Sequence, residues 1–179
     1  MRRGKPQNPS LRTTLHTSRL KGEPAMKHDP QLQRVLDRMK SGVLSRDGFL
    51  GPDPRPLEEV LDTDRSAIAA LGLTHEEIGA RLHVVFGKAR SGLGTPVRIG
   101  ERLVAVHREA MGRIPCPWGG CGVFPKGEVE LTDPAAGESL FLTALGIHLA
   151  GAHGFYGGRG TRYRLEPERL ARLLRLAGG

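Results

Sequence analysis

The stretch Arg113–Gly122, RIPCPWGGCG, contains both cysteines of the 179-residue chain. Four residues separate Cys116 from Cys121, and one proline and two glycines lie between them. Glycine adopts the backbone conformations that a tight turn requires, and the N–H groups of such a turn can point toward cysteine sulfurs. The stretch therefore predicts a cysteine knuckle, and the neighbouring segments indicate what the knuckle holds.

A pair of histidines follows the knuckle. The segment KGEVELT alternates polar and apolar residues, and ESLFL returns after a turn at Asp133 to Gly137, which predicts a β-hairpin. Thr143 then caps a short predicted helix, ALGIHLAGAH, which ends at Gly154 and carries both histidines. Two cysteines and two histidines form a donor set that zinc binds tetrahedrally in structural sites. The sequence therefore predicts a Zn²⁺ site made of Cys116, Cys121, His148 and His153.

This order of cysteine pair, hairpin and histidine-bearing helix locally resembles a Cys2His2 zinc finger of the ββα type. The resemblance implies a closed, structural zinc ion. Two features differ from the usual finger. The 26 residues between Cys121 and His148 make a gap about twice as long as usual. In addition, histidines five positions apart point about 140° apart on an ideal helix, so the last helical turn is expected to loosen near Gly151.

Other interpretations of these residues remain open at this stage. The cysteines could be inert buried thiols with His148 as a core residue, a reversible disulfide, or a nucleophile. His107 is the reserve ligand, because it lies on a predicted strand shortly before the knuckle. With three ligands the metal would keep a position for water, and Glu128, Glu130 or Glu138 would be candidate bases of a metal-dependent hydrolase.

The fold class predicted is α+β, in three parts. Residues 1–25 are expected to form a disordered basic arm, residues 26–93 a helical region, and residues 94–179 an α+β, zinc-finger-like region that ends in a C-terminal helix.

In the helical region, the segment LTHEEIGARL is similar to the first helix of a helix-turn-helix. It lacks a following turn and recognition helix, so a core helix that begins with a capping box is expected. The segment TRYRL near the C-terminus is a predicted short strand.

The net charge of +8 suggests nucleic acid as a partner, but its distribution weakens that inference. Residues 1–25 hold six lysines or arginines and one acid, so they carry +5 of the total. Lys21, Gly22 and Glu23 must be encoded by purine-rich codons, at the place where a bacterial ribosome-binding site would precede Met26. This suggests that translation begins at Met26. No apolar run is long enough to span a membrane, and the cytoplasm is the expected compartment.

The best predicted partner surface in the body of the protein follows the second histidine. The glycine-rich segment GFYGGRGTRYRL contains basic and aromatic side chains, which suit phosphate contacts and base stacking. For Arg169, Arg172 and Arg175, further along the chain, a solvated helix face is the favoured interpretation. The candidate nucleic-acid or partner-binding residues are Arg159, Arg162, Tyr163 and Arg164.

The segments RIPCPWGGCGVFPK and LGIHLAGAHGFYGGRGTRYRLEP resemble an uncharacterised family of small bacterial cytoplasmic proteins, over roughly Met26 to Leu174. The resemblance implies no activity. The expected function is therefore a non-enzymatic binding module with a structural zinc site, whose partner is nucleic acid or a protein. The alternative is a metal-dependent, hydrolase-like enzyme with an open three-ligand site.

Overall fold

A computed structural model describes residues 29–175, together with Met1. Three helices come first, α1 (Pro30–Met39), α2 (Leu57–Ala70) and α3 (His75–Ser91). Six strands follow, β1 (Val97–Ile99), β2 (Leu103–Arg108), β3 (Arg113–Pro115), β4 (Val123–Pro125), β5 (Glu128–Asp133) and β6 (Glu138–Thr143). The last helices are α4 (Ala144–His153) and α5 (Pro167–Leu174). The predicted α+β class is confirmed. The predicted arm and start site lie outside the described residues, apart from Met1.

The capping box predicted at the start of α3 is present. The Thr74 hydroxyl accepts a hydrogen bond from the Glu77 N–H at 3.2 Å, and the Glu77 carboxylate accepts one from the Thr74 N–H at 2.8 Å. These reciprocal bonds satisfy N–H groups that the first turn leaves without partners. The helix then continues without interruption to Ser91, so the turn of a helix-turn-helix motif is missing, and it buries one apolar stripe against the sheet. It is a core helix, as the sequence predicts.

The strands form two separate sheets. Strands β1, β2, β5 and β6 form a four-stranded antiparallel sheet in the order β1-β2-β5-β6, whereas β3 and β4 form a two-stranded ladder of their own. Val129 and Leu131 of β5 are buried, while Glu128 and Glu130 face the other side, as their alternation predicts. The hairpin that precedes α4 is thus half of a larger sheet, so no independent ββα unit of the zinc-finger type is present among the described residues.

Helices α3 and α4 cross at two glycines. A Cβ atom added to Gly79 would lie 2.9 Å from the Gly151 Cα, so any side chain there would push the helices apart. This close approach brings α4 against α3 and into the main core under the sheet. Gly151 therefore serves helix packing, and α4 continues as an α-helix to His153. The loosened last turn expected from the sequence is not observed.

The segment from Gly154 to Glu166 has no regular secondary structure, and yet both of its ends are mostly buried while its middle is exposed. The predicted strand TRYRL is wrong, because residues 161–165 form turns rather than a sheet ladder. Two backbone bonds hold the segment instead, one to a distant part of the chain and one within the segment. The Gly158 N–H donates to the Phe49 carbonyl at 3.0 Å, and the Leu165 N–H donates to the Tyr156 carbonyl at 2.8 Å. We call residues 154–166 the pinned loop.

Within the described part of the chain, no helix has the length and apolar character needed to cross a membrane.

Candidate metal centre

Two structural elements bring the four predicted metal ligands together. Cys116 and Cys121 lie on the connection between β3 and β4, and His148 and His153 lie on α4. One donor atom from each side chain can be chosen so that all four atoms lie within 4.8 Å of one another. The described residues contain no other cluster of three or more potential ligands that meets the same distance criterion. The predicted four-residue set is therefore positioned to bind a metal ion.

The distances within the cluster suit a tetrahedral ion. The His153 Nε2 atom lies 3.4 Å from the Cys116 Sγ atom and 3.5 Å from the Cys121 Sγ atom. In a tetrahedral zinc site with bonds of about 2.0–2.3 Å, the donor atoms are separated by about 3.3–3.8 Å. Both thiols are free rather than joined in a disulfide. Both His153–sulfur distances therefore match a tetrahedral site, and the 4.8 Å bound on the other pairs means that they would close by at most about 1.5 Å around an ion.

His148 supplies the observation that is hardest to explain without a metal. Its Nε2 atom is the only buried side-chain nitrogen or oxygen in the described part of the chain that has no hydrogen-bond partner. Burying a polar atom without a partner costs about 1–3 kcal/mol. Burial also lowers the pKa of His148, which favours the neutral imidazole that binds metals. A metal ion bound through this nitrogen would give it the missing partner. If His148 were only a core residue, the nitrogen would stay without one.

The knuckle adopts the backbone conformation that its glycines predict. Gly119, Gly120 and Gly122 all have positive φ values, of 79°, 71° and 100°. The Cys116 N–H donates to the Gly122 carbonyl at 3.2 Å, which closes the turn. Burial raises the pKa of the Cys116 thiol, while the N–H groups of Trp118 and Gly119 act in the opposite direction. These backbone groups face the sulfur, as expected for a knuckle that stabilises a thiolate.

Aromatic rings pack against both histidines. Trp118 stacks on His153 with ring centroids 4.4 Å apart and an interplanar angle of 7°, and Phe124 stacks on His148 at 4.6 Å. From α1, the Arg38 guanidinium donates to the Pro117 carbonyl at 3.1 Å. These contacts fix both imidazoles and connect the knuckle to the N-terminal helix. Trp118 is absent from the residues predicted for the site, although its place inside the knuckle is a usable signal.

The residues held in reserve lie elsewhere. His107 is buried in β2 with its ring edge-on to Phe86, so it belongs to the main core and not to the cluster. Each of the three glutamates considered as bases has an ion-pair partner. Glu128 pairs with Arg162 and Glu130 with Arg108, both at 2.8 Å. Glu138 pairs with Arg172 at 3.2 Å. None of these carboxylates belongs to the metal-ligand cluster.

The four predicted partner-binding residues do not share one environment. The Arg164 guanidinium is buried and makes a bidentate pair with Asp64, with N–O distances of 2.6 and 2.7 Å. It therefore stabilises the fold and has no face to offer a phosphate. Arg162 and Tyr163 both donate to the Glu128 carboxylate at 2.8 Å. Of these four residues, only Arg159 is exposed and has no carboxylate partner among the described residues.

Nothing matches this chain in comparisons with protein-family models, curated proteins and solved structures. The function is therefore inferred from the chemistry of the site itself.

Proposed function

We propose that the protein is a non-enzymatic binding module whose fold is completed by one structural zinc ion. The proposal is supported above all by the meeting of two thiols and two imidazoles, one of which, His148, has a buried Nε2 atom without a hydrogen-bond partner. Zinc favours a tetrahedral set of two sulfur and two nitrogen ligands, and it is the common ion of such sites. His148, His153, Cys116 and Cys121 would hold the ion.

A structural role follows from the number and kind of ligands. A catalytic zinc site keeps one position for water or substrate, whereas four protein ligands fill the tetrahedron. The cluster contains no carboxylate that could act as a base. The ion would join the β3–β4 hairpin to α4, and α4 leads directly into the pinned loop at Gly154. Metal binding would thus supply part of the free energy that keeps these elements in place.

The predicted partner, nucleic acid or a protein, receives little support from the residues first chosen for it. Arg164 is committed to Asp64, and Arg162 and Tyr163 are committed to Glu128. The partner class therefore stays a prediction, and a different surface, described below, offers a more specific ligand.

The test is elemental analysis of protein purified without added metal, together with variants of the cluster. We expect one zinc per chain in the native protein. His148→Ala and Cys116→Ser should each weaken zinc binding by at least about ten-fold, because each removes a ligand. The matched control is His83→Ala, an exposed histidine of α3 outside the cluster, which should retain the metal. Native protein without zinc, or a His148→Ala variant with unchanged zinc affinity, would refute the proposal.

A further inference from the structure

A second candidate site lies beside the metal centre. A cleft of about 870 Å³ opens between residues 44–52, the β3–β4 hairpin, the start of α4 and the pinned loop. This volume falls within the range of about 300–1,000 Å³ that is usual for small-molecule sites. None of the four metal ligands lines the cleft. The cleft and the metal centre are therefore separate sites that share a wall.

The walls of the cleft are mainly apolar. The side chains that form them come from four different segments of the chain and form one face of the smaller core, of which Leu145, Leu149 and Phe155 are buried members. Apolar walls of this kind are matched by a ligand with an apolar body. The principal wall residues are Phe49, Ile114, Leu145, Leu149 and Phe155.

The rim of the cleft has one positive charge in excess. Two of its arginines are neutralised locally, because Arg46 pairs with Asp47 at 3.4 Å and Arg162 pairs with Glu128 at 2.8 Å. Lys126 also lines the cleft, and its ammonium group has no carboxylate partner among the described residues. A single cation above an apolar cleft is complementary to a ligand with a single negative charge.

Hydrogen bonds hold one side of the cleft in place before any ligand binds. The Asp53 carboxylate accepts a hydrogen bond from the Arg159 N–H at 2.9 Å, and its pair with Arg55 holds the pKa of Asp53 well below its usual range. Arg164 donates to the Gly157 carbonyl and to Asp64, which lies on α2. These bonds fix the pinned loop, which forms one side of the cleft. A preformed site loses less conformational entropy when a ligand binds.

We propose that this cleft binds a small amphipathic carboxylate, with its apolar body between Phe49, Ile114 and Leu149 and its carboxylate at Lys126. This inference depends on the proposed function, because it names the ligand of the binding module. It does not require a metal–ligand contact. The two proposals therefore fail in different experiments, provided that the zinc content of each sample is measured.

The probe for the test is sodium decanoate, added to the full-length, zinc-loaded protein below the concentration at which decanoate forms micelles. Isothermal titration calorimetry should give saturable binding of one decanoate per chain. Decanol has the same chain without the charge and should bind at least about ten-fold more weakly, because it loses a charge-assisted hydrogen bond. Methyl NMR of the same complex should show contacts from the decanoate chain to Ile114 and Leu149.

Two lysine variants localise the charge recognition. Lys126→Gln should weaken decanoate binding by about ten-fold and leave decanol binding unchanged. Lys88→Gln is the matched control, because Lys88 is an exposed lysine on α3 that does not line the cleft. It should bind decanoate like the native protein.

Three results would overturn the proposal: no saturable decanoate binding, equal affinities of Lys126→Gln and native protein, or NMR contacts outside the cleft. Any of these in a sample with one zinc per chain would refute the carboxylate site and leave the metal proposal intact. A sample that lacks zinc refutes the metal proposal instead.

Discussion

The described residues form two hydrophobic cores of different size. The main core lies between the four-stranded sheet, α3 and α4 and contains nineteen buried residues, among them Leu131 and Leu142. The smaller core joins α1, α2 and the pinned loop to α4 beside the knuckle, and it contains eight, including Cys116. Both cores pack against α4, which also carries the two histidines of the metal centre.

The difference in size indicates how each region is stabilised. Each large aliphatic side chain that is fully buried contributes about 1.5–3 kcal/mol, so the main core has a large source of stability of its own. The smaller core has far fewer such side chains. Small cores commonly need a metal or another cross-link. The Cys/His cluster lies beside it and shares Cys116 with it, while the buried Arg164–Asp64 pair joins α2 to the pinned loop.

Metal removal should have the largest effect and should separate the two cores. A ligand present at a thousand times its dissociation constant stabilises the folded state by about 4 kcal/mol, and chelation removes that contribution. We expect amide hydrogen exchange to accelerate strongly in α1 and the β3–β4 hairpin after chelation, with much smaller changes in β2 and β5. Equal acceleration in both regions, or none in either, would contradict the proposed division.

Loss of the buried ion pair should come next. Asp64→Ala leaves the Arg164 guanidinium buried without its main partner, and the free energy of unfolding should fall by about 3–5 kcal/mol. The measurement is the midpoint of denaturant unfolding. The control Asp62→Ala removes an exposed carboxylate of the same helix and should change stability by less than about 0.5 kcal/mol. A double variant, Asp64→Leu with Arg164→Met, should recover most of the loss. Similar midpoints for Asp64→Ala and Asp62→Ala would mean that the Arg164–Asp64 pair does not stabilise the pinned loop.

A cavity in the main core should cost about the same or slightly less. Leu131 is fully buried at the centre of the sheet, and Leu131→Ala should lower the free energy of unfolding by about 2–5 kcal/mol. The zinc affinity should not change, because Leu131 belongs to the main core, whereas Cys116 belongs to the smaller one. Zinc titrations of Leu131→Ala and native protein provide the check. A marked fall in zinc affinity would mean that the two cores are tightly coupled.

The capping box should have the smallest effect. Thr74→Ala removes the hydroxyl that caps α3, and the expected loss of stability is about 1 kcal/mol. Thr74→Ser keeps the hydroxyl and should remain close to the native value. Thermal unfolding of both variants measures the difference. If the alanine and serine variants unfold at the same temperature, the cap contributes nothing to the main core.

The sequence predicted those features that depend on local patterns. The capping box at Thr74, the alternation in β5 and the spacing of the cysteines and histidines all have short-range signals, and the structure confirms them. The four-residue cluster was predictable because cysteine and histidine are residue types that zinc selects, and their order places them on a turn and a helix.

The errors arose where distant residues decide the structure. TRYRL has the composition of a strand, but Arg164 within it reaches Asp64, one hundred residues earlier, and the segment folds around that pair. The same pair buries the Arg164 side chain, which the local charge pattern predicted to lie on the surface. Gly151 likewise looked like a weak point in α4, whereas its contact is with Gly79 of α3. No local signal identifies these partners.

X-ray absorption spectroscopy at the zinc edge, on protein purified without added metal, tests the central claim most directly. The account predicts one zinc per chain with two sulfur ligands at about 2.3 Å and two nitrogen ligands at about 2.0–2.1 Å. A first shell with one sulfur or none, or with an oxygen ligand from water, would contradict a closed site made of both cysteines and both histidines.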